Sequence, residues 1–391
     1  MQARRDNEEP SPPSIEVGGC TYEAGDPGIA DALADAIAGA YASRRRPRCL
    51  CRPGGVEMYV ARLGDGYIVK RMPETGSDHA PDCPSFEPPP ELSGLARALG
   101  SAIVENMASG ETTLKLDFPL SRAQGQPPPQ HRPGALGGSA AAASRRLSLR
   151  GLLHYLWDEA GLTQWKPGFS GRRSWAIVRQ HLLRAAEQKV VGGLALAARL
   201  YIPETFTLDD IDAINRRRRD SWAAAVPRPD RPQQLMLVIG EVKGIAPTHR
   251  GYKATIKHIP DLGFAIGDEL YNAVGRTFSR ELEVWSASED IRMVMGASFQ
   301  LAAGGTPAIA RLCLMPVTRQ WLPVETVLEQ QLVDQLVREQ RSFRKLLRYD
   351  LGHGERLASV VITDSGLPMP TVFADAADAQ VIPPRSGHQR P

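Results

Sequence analysis

The stretch Cys49–Cys83, "CLCRPGGVEMYVARLGDGYIVKRMPETGSDHAPDC", holds three of the chain's five cysteines and one of its eight histidines. Cys49 and Cys51 are two apart. In an extended chain residues i and i+2 face the same side, so both sulfurs can meet one ion. "MYVAR" and "YIVKR" are strand-like runs flanking Gly64-Asp65-Gly66, a hairpin turn signal. A hairpin goes out and comes back, which returns "HAPDC" beside "CLC" and adds His79 and Cys83 to the set. Three thiolates and one imidazole, with no carboxylate and no open position, are the donors of a closed structural zinc site. The competing reading is scattered free thiols and a surface histidine. CxC with HxxxC is less specific than paired CxxC motifs, and Pro81 prevents a helical HxxxC. Cys313 sits in an apolar run and reads as core; Cys20 reads as a stray thiol or a substitute ligand.

At 391 residues the chain exceeds one ordinary core, so two or three domains are expected. Hydrophobic content of 42% with 23% charge describes a soluble globular protein. The net charge of +3 sets up no global field, but the cations cluster at Arg44–Arg48, Arg172–Arg173, Arg216–Arg219 and Arg341–Arg348. Such clusters make local anion-binding faces. The start, "MQARRDNEEPSPPS", lacks the apolar core of a secretory signal, and no apolar run approaches the roughly 18 residues of a membrane span. The expectation is a cytoplasmic protein with no membrane partner. In that reducing setting clustered cysteines favour metal over disulfides.

The expected fold class is α+β, in pieces. Residues 1–18 read as a disordered tail, and 19–120 as a zinc-stabilised β-hairpin module with a flanking helix through Leu33, Ile37 and Tyr41. The same piece contains a strand alternating through Leu114, Leu116 and Phe118. Residues 121–147 are a low-complexity linker. Residues 148–230 read as a central helical bundle of three helices: one capped by Ser148 and stopped at Gly161, one through Trp175, Val178 and Leu182, and one opened by Thr207 and Asp210. Residues 231–378 read as a mixed α/β domain. Its elements are the buried strand "QQLMLVIGEVKG", a helical stretch over 266–285 and a hairpin about Gly304-Gly305. A long helix through Leu328, Leu332, Leu336, Phe343 and Leu347 and a closing strand pair follow. Residues 379–391 read as a second tail.

Several segments together, "CLC", "MYVARL", "YIVKRMPETGSDHAPDCPSFEPP", "RGLLHYLWDEAGLTQWKPGFSGRRSW", "WLPVE" and "FRKLLRYD", resemble an uncharacterised family, domain of unknown function 1173. The resemblance runs from about Cys49 to Phe373, and Cys49, Cys51, His79 and Cys83 match its apparent ligand pattern one for one. It implies a setting on plasmids and integrative conjugative elements of proteobacteria. The partners implied are DNA or element-encoded proteins. It implies no reaction.

Elsewhere the chemistry is thinner. Glu241 and Lys243 end a buried strand, half of the pattern of a metal-dependent nuclease of the restriction-enzyme fold. The nearest further acids, Asp209, Asp210 and Asp212, fall on an expected helix. Around Glu325, Glu329 and Asp364 the C-terminal piece resembles a degenerate restriction-endonuclease-like layout with its catalytic set missing. Arg172, Arg173, Arg216 and Arg217 can neutralise phosphates, or simply solvate helix ends. His154 and His181 read as core or boundary histidines, and no catalytic residue is assigned. The leading expectation is a non-catalytic zinc-containing accessory protein of a mobile element, binding DNA or a partner protein. The alternative is a divalent-metal nuclease using Glu241 and Lys243. A third is a zinc module that only scaffolds the helices.

Overall fold

The computed structural model describes residues 14–23, 29–64, 66–122, 146–228, 232–302, 304–366 and 368–374, and the backbone of Val381–Ile382. The expected tails beyond these limits, and the expected linker apart from its ends, lie outside the described residues.

The N-terminal sheet has five antiparallel strands: β1 (Ser14–Val17), β2 (Cys20–Glu23), β3 (Arg48–Cys49), β4 (Val56–Leu63) and β5 (Gly66–Arg71), in the order β2-β1-β3-β4-β5. So the chain is already a strand at Ser14, inside the stretch expected as tail. Helix α1 (Ala30–Ala42) packs Leu33, Ala36 and Ile37 against Val17 and Val60, whereas Tyr41, expected on the same stripe, is exposed and meets Tyr67. β6 (Ile103–Glu105) and β7 (Thr112–Leu114) join Lys189–Val191 and Leu194–Ala195 in a second sheet. Thr112, Leu114, Leu116 and Phe118 are buried, and Thr113, Lys115 and Asp117 between them are exposed.

Helix α2 (Leu149–Glu159) is buried along most of its length, and Ser148 caps it by accepting from the Gly151 amide at 3.1 Å. It packs on α3 (Trp175–Ala186). Helix α4 (Ile211–Trp222) does not complete a bundle with them. Its Trp222 instead meets Tyr201, Phe264 and Phe299 at centroid distances of 5.3, 5.9 and 4.9 Å.

Those phenylalanines lie inside a barrel. Its strands are β8 (Met236–Pro247), β9 (Tyr252–Ile256), β10 (Ile259–Ile266), β11 (Arg292–Leu301) and β12 (Pro307–Val317). They pair in the order β8-β9-β10-β12-β11, and β11 pairs back onto β8. The β10–β12 contact is parallel; the rest are antiparallel. β8 serves both β11 and β9 because a bulge between Val242 and Gly244 bends it from one towards the other, and the short strand Leu200–Tyr201 pairs with it in parallel at Leu237 and Val238. Phe264 and Phe299, on strands that are not neighbours, meet edge to face at 5.4 Å across the interior. Helices α5 (Asp268–Thr277) and α6 (Ser279–Ala287), split at Phe278, fill the crossover between β10 and β11. A five-stranded Greek-key barrel with this closure is an OB-fold. The strand carrying Glu241 is thus a barrel strand, not part of the nuclease layout expected for this region.

One hydrophobic core runs from Ala98 to Tyr349 and takes residues from each of three stretches expected as separate units. A second lies under a sheet of Gln164–Trp165, Phe343–Lys345, Val360–Ile362, Thr371–Val372 and Val381–Ile382. Helix α7 (Val327–Arg338) supplies Val333 and Leu336 to it. The expected longer helix is cut short: Gln340 takes a left-handed φ of 55°, and Phe343 begins a strand. No helix among the described residues is long and apolar enough to cross a membrane.

Candidate functional site

Cys49 ends β3, where it pairs with Val56 of β4 and Ile15 of β1. Cys51 follows in a turn that Gly54 and Gly55, at φ of 83° and 68°, direct into β4. The β4–β5 hairpin then returns the chain. Beyond it the segment closes on itself, the Glu87 amide donating to the Gly76 carbonyl at 3.0 Å. Gly76 is required there, because a Cβ would stand 2.6 Å from the Glu87 Cβ. His79 and Cys83 lie in this loop, 0% and 4% exposed.

The four side chains expected as ligands are brought together, with one donor atom each within 4.8 Å of all the others. Cys49 Sγ and Cys83 Sγ are 3.6 Å apart. His79 Nδ1 is 3.4 Å from Cys51 Sγ and 3.6 Å from Cys83 Sγ. A zinc tetrahedron with bonds of about 2.3 Å to sulfur and about 2.0 Å to nitrogen has S···S edges of about 3.8 Å and S···N edges of about 3.5 Å. The observed edges fit that figure. A disulfide would need about 2.05 Å, and all five cysteines are free. The Ala80 and Ser85 amides donate to Cys51 Sγ and Cys83 Sγ, both at 3.4 Å, as amides do around metal-bound thiolates. Without a cation the donor set is frustrated. The hydrogen bond between Cys83 and Cys49 lowers the Cys49 pKa and, with burial, raises that of Cys83. Burial raises Cys51 and lowers His79. A divalent ion relieves all of this at once by taking three thiolates and a neutral imidazole. Cys313 is buried in β12 beside Gly296, as expected of core, and Cys20 is exposed and outside the cluster.

Among the described residues this is the one group of three or more His, Cys, Asp or Glu side chains that can hold a metal. Glu241 is 7% exposed and faces two cations, Lys257 at 3.0 Å and Arg292 at 3.7 Å. Lys243 is exposed at the bulge. In the C-terminal piece Glu325 pairs with Arg348 (2.8 Å), Glu329 with Lys345 (2.8 Å) and Asp364 with Arg341 (2.7 Å). Arg341, Lys345 and Arg348 are thus paired with acids; Arg344 and Lys345 are buried, while the Arg341–Asp364 pair lies at the surface.

The arginines expected to meet phosphate divide in two. Arg172 and Arg216 are exposed. Arg173 is committed: it donates to the carbonyls of Leu162, Gln164 and Gln320 and stacks on Phe169 at 5.0 Å. Burial lowers its pKa to about 10. Arg217 forks onto Glu204 at 2.6 Å, and Arg218 onto Asp261 at 2.5 Å. Other cations were missed. Lys243, Arg250 and Lys253 have no ion pair among the described residues; Arg250 lies in the turn from β8 to β9, Lys253 at the start of β9, and Lys243 at the β8 bulge beside the far end of β9. Lys253 lies across Gly263 of β10 on the outer face, opposite buried Ala254. The period-2 run "YKATI", set between Gly251 and a second turn, is the signal that marks this strand.

Neither the comparison with curated proteins nor that with solved structures found a match. The family described as Protein of unknown function (DUF1173) matches residues 20–383, and the chain belongs to that family.

Proposed function

We propose that the protein is a zinc-containing nucleic-acid-binding protein that works by binding and not by metal catalysis. Cys49, Cys51, His79 and Cys83 would hold one structural zinc ion, because the donor set is closed and its edges suit that ion. The observation that carries the binding reading is the outer face of the barrel. OB-fold barrels bind oligonucleotides on the face of the second and third strands and the loop before them; here Lys253 on β9 and Arg250 in that loop, with Lys243 on the adjoining stretch of β8, have no acidic partners among the described residues. Thr255, Gly263 and Ala265 are small enough to let a backbone approach between the cations. Fold alone does not assign a function, so the weight rests on these unpaired charges. Contacts of this kind go to phosphate, favour single strands, and carry little sequence information. The mobile-element setting implied by the family resemblance would make the element's DNA the partner.

The test is fluorescence anisotropy with a labelled single-stranded oligonucleotide across a salt series. Wild type should bind with a slope of log K against log salt near −0.7 per phosphate contact. Lys243→Ala with Lys253→Ala should flatten that slope by roughly 1.4, whereas Arg172→Ala with Arg216→Ala should leave it unchanged. Equal loss in both variants, or no salt-dependent binding, refutes the assignment; capture of an element-encoded protein in its place moves the reading to a protein partner.

A further inference from the structure

A cavity of about 240 Å³ lies between the metal loop and the main core. It belongs to none of the sites above and shares no residue with the basic face of the barrel. Its walls are of two kinds. Pro73, Pro88, Pro90, Leu95, Leu99 and Ile103 make an apolar side. Arg71, Glu74, Glu87, Glu105, Asp158, Glu159, Arg344 and Lys345 make a charged one.

The charged wall is partly closed upon itself. Arg71 bonds Glu87 at 2.6 Å, and Glu159 is held from behind by Lys189 at 2.5 Å. Asp158 accepts from the Tyr349 hydroxyl at 2.6 Å. Glu105 has no ion pair among the described residues. Arg344 is 7% exposed; one of its amino groups donates to the Phe86 carbonyl at 2.7 Å, but its Nε has no partner. A buried guanidinium nitrogen left without an acceptor is costly. Glu87 and Glu159 lie deep in the fold, yet 30% and 23% of their side-chain surfaces remain accessible. Both line the cavity, and Glu159 also borders a second pocket beside Lys70 and Lys189. Once the Arg71–Glu87, Lys189–Glu159 and Lys345–Glu329 pairs are set aside, Glu74, Glu105 and Asp158 share Arg344 and the longer-range pull of Arg71. The wall therefore carries more acid than base, and the Arg344 Nε has no acceptor.

We propose that this cavity binds the ammonium end of an apolar α-amino acid or of a peptide's free N-terminus. The ammonium would sit against the acids of the charged wall. The neighbouring carbonyl or carboxylate oxygen would face the Arg344 guanidinium, and the aliphatic side chain would lie along Leu95, Leu99 and Ile103. The size agrees: small-molecule pockets span roughly 300–1,000 Å³, and this one falls just below, which suits a single residue and not a nucleotide. The state of the acids supports it. Burial among other acids raises Glu87 to about 7 and Asp158 to about 6, against the pull of Arg71 and Arg344. An added cation is what such a wall accepts most readily.

Four small molecules separate the possibilities on the full-length zinc-loaded protein: L-leucine, L-leucinamide, N-acetyl-L-leucinamide and 4-methylpentanoate, each titrated by calorimetry or by protein NMR. The two ammonium compounds should saturate the protein and bind at least tenfold more tightly than the other two. Leucine ahead of leucinamide assigns a free amino acid; the reverse assigns a peptide N-terminus. Leu99→Trp, which fills the apolar side, should abolish binding, and Glu105→Gln should weaken it about tenfold, the effect of one lost charge contact. No saturation by either ammonium compound up to about 10 mM, equal binding of 4-methylpentanoate, or unchanged binding in Leu99→Trp would each overturn the proposal.

Discussion

Stripping the metal, or replacing Cys51 by serine, should release the loop that the four ligands tie together. Cys51 and His79 are 28 positions apart and their donor atoms 3.4 Å apart. Cross-linking a loop of that length removes about 3.6 kcal/mol of closure entropy from the open state. This is a floor, since zinc bound to small modules is worth on the order of 10–16 kcal/mol. At about 1.4 kcal/mol per factor of ten, the floor corresponds to a roughly 400-fold shift towards the open loop. Two amides report the event directly: Ala80 and Ser85 donate to the Cys51 and Cys83 sulfurs at 3.4 Å. Hydrogen exchange of the segment 76–87, measured before and after chelation, should accelerate by at least that factor. Exchange in the barrel strand β11 should stay slow, because its partners β8 and β12 owe nothing to the metal. The argument fails if the purified protein contains less than a tenth of an equivalent of zinc and Cys51→Ser exchanges like the parent.

Three further outcomes follow from packing and charge. Lys189→Met strands the Glu159 carboxylate beneath the cavity and should cost about 3–5 kcal/mol in urea unfolding; adding Glu159→Gln should recover much of it. Glu87 has a folded pKa raised to about 7 by burial, above its unfolded value. Its contribution is therefore fully present below about pH 4.5 and is lost as the pH rises through 7. The loss is at most about 3 kcal/mol, since the cavity partly solvates the group. Glu87→Gln should flatten the dependence of urea midpoint on pH in that window. Gly76→Ala places a Cβ against Glu87 and should cost about 1–3 kcal/mol while lowering zinc affinity, both readable by metal-competition titration and melting.

What could be read from the sequence is what short-range rules govern. The clustering of Cys49, Cys51, His79 and Cys83 was legible because Gly64-Asp65-Gly66 announces a hairpin, which brings His79 and Cys83 back beside the first two. Ser148 was legible because a helix N-cap is a local contract between one side chain and the amide three residues on. The barrel was not legible, because it is made by β8 pairing with both β9 and β11, and neither partner is marked in the β8 sequence. Both faces of β8 are buried up to Val242, so its run lacks the alternation that identifies a barrel strand. The overlong helix failed for a related reason. Phe343 and Leu347 keep the helical spacing of Leu336, but their burial comes from a sheet, and the left-handed Gln340 breaks the register between. Arginines misled in the same manner: Arg173 reads as a surface cation until the carbonyls of Leu162, Gln164 and Gln320 are brought in to accept its hydrogen bonds.

The metal loop and the cavity are mechanically one object. Cys83 is followed by Phe86, fully buried beside Cys49 and Met58, and then by Glu87 on the cavity wall. The Phe86 carbonyl accepts from Arg344, which reaches it from the C-terminal sheet, and Arg71 of the hairpin holds Glu87. Three contacts thus fasten a loop that contributes little apolar surface of its own to the rest of the molecule. A small loop of this kind holds its shape only when a cross-link supplies what a core does not. An ion held by the four side chains would therefore set the position of Glu87 and of the Phe86 carbonyl, and through that carbonyl the orientation of Arg344. A zinc-free chain that keeps its barrel intact would still lose the geometry of the charged wall, so metal loading and occupancy of the cavity should rise and fall together while binding at the barrel face stays constant.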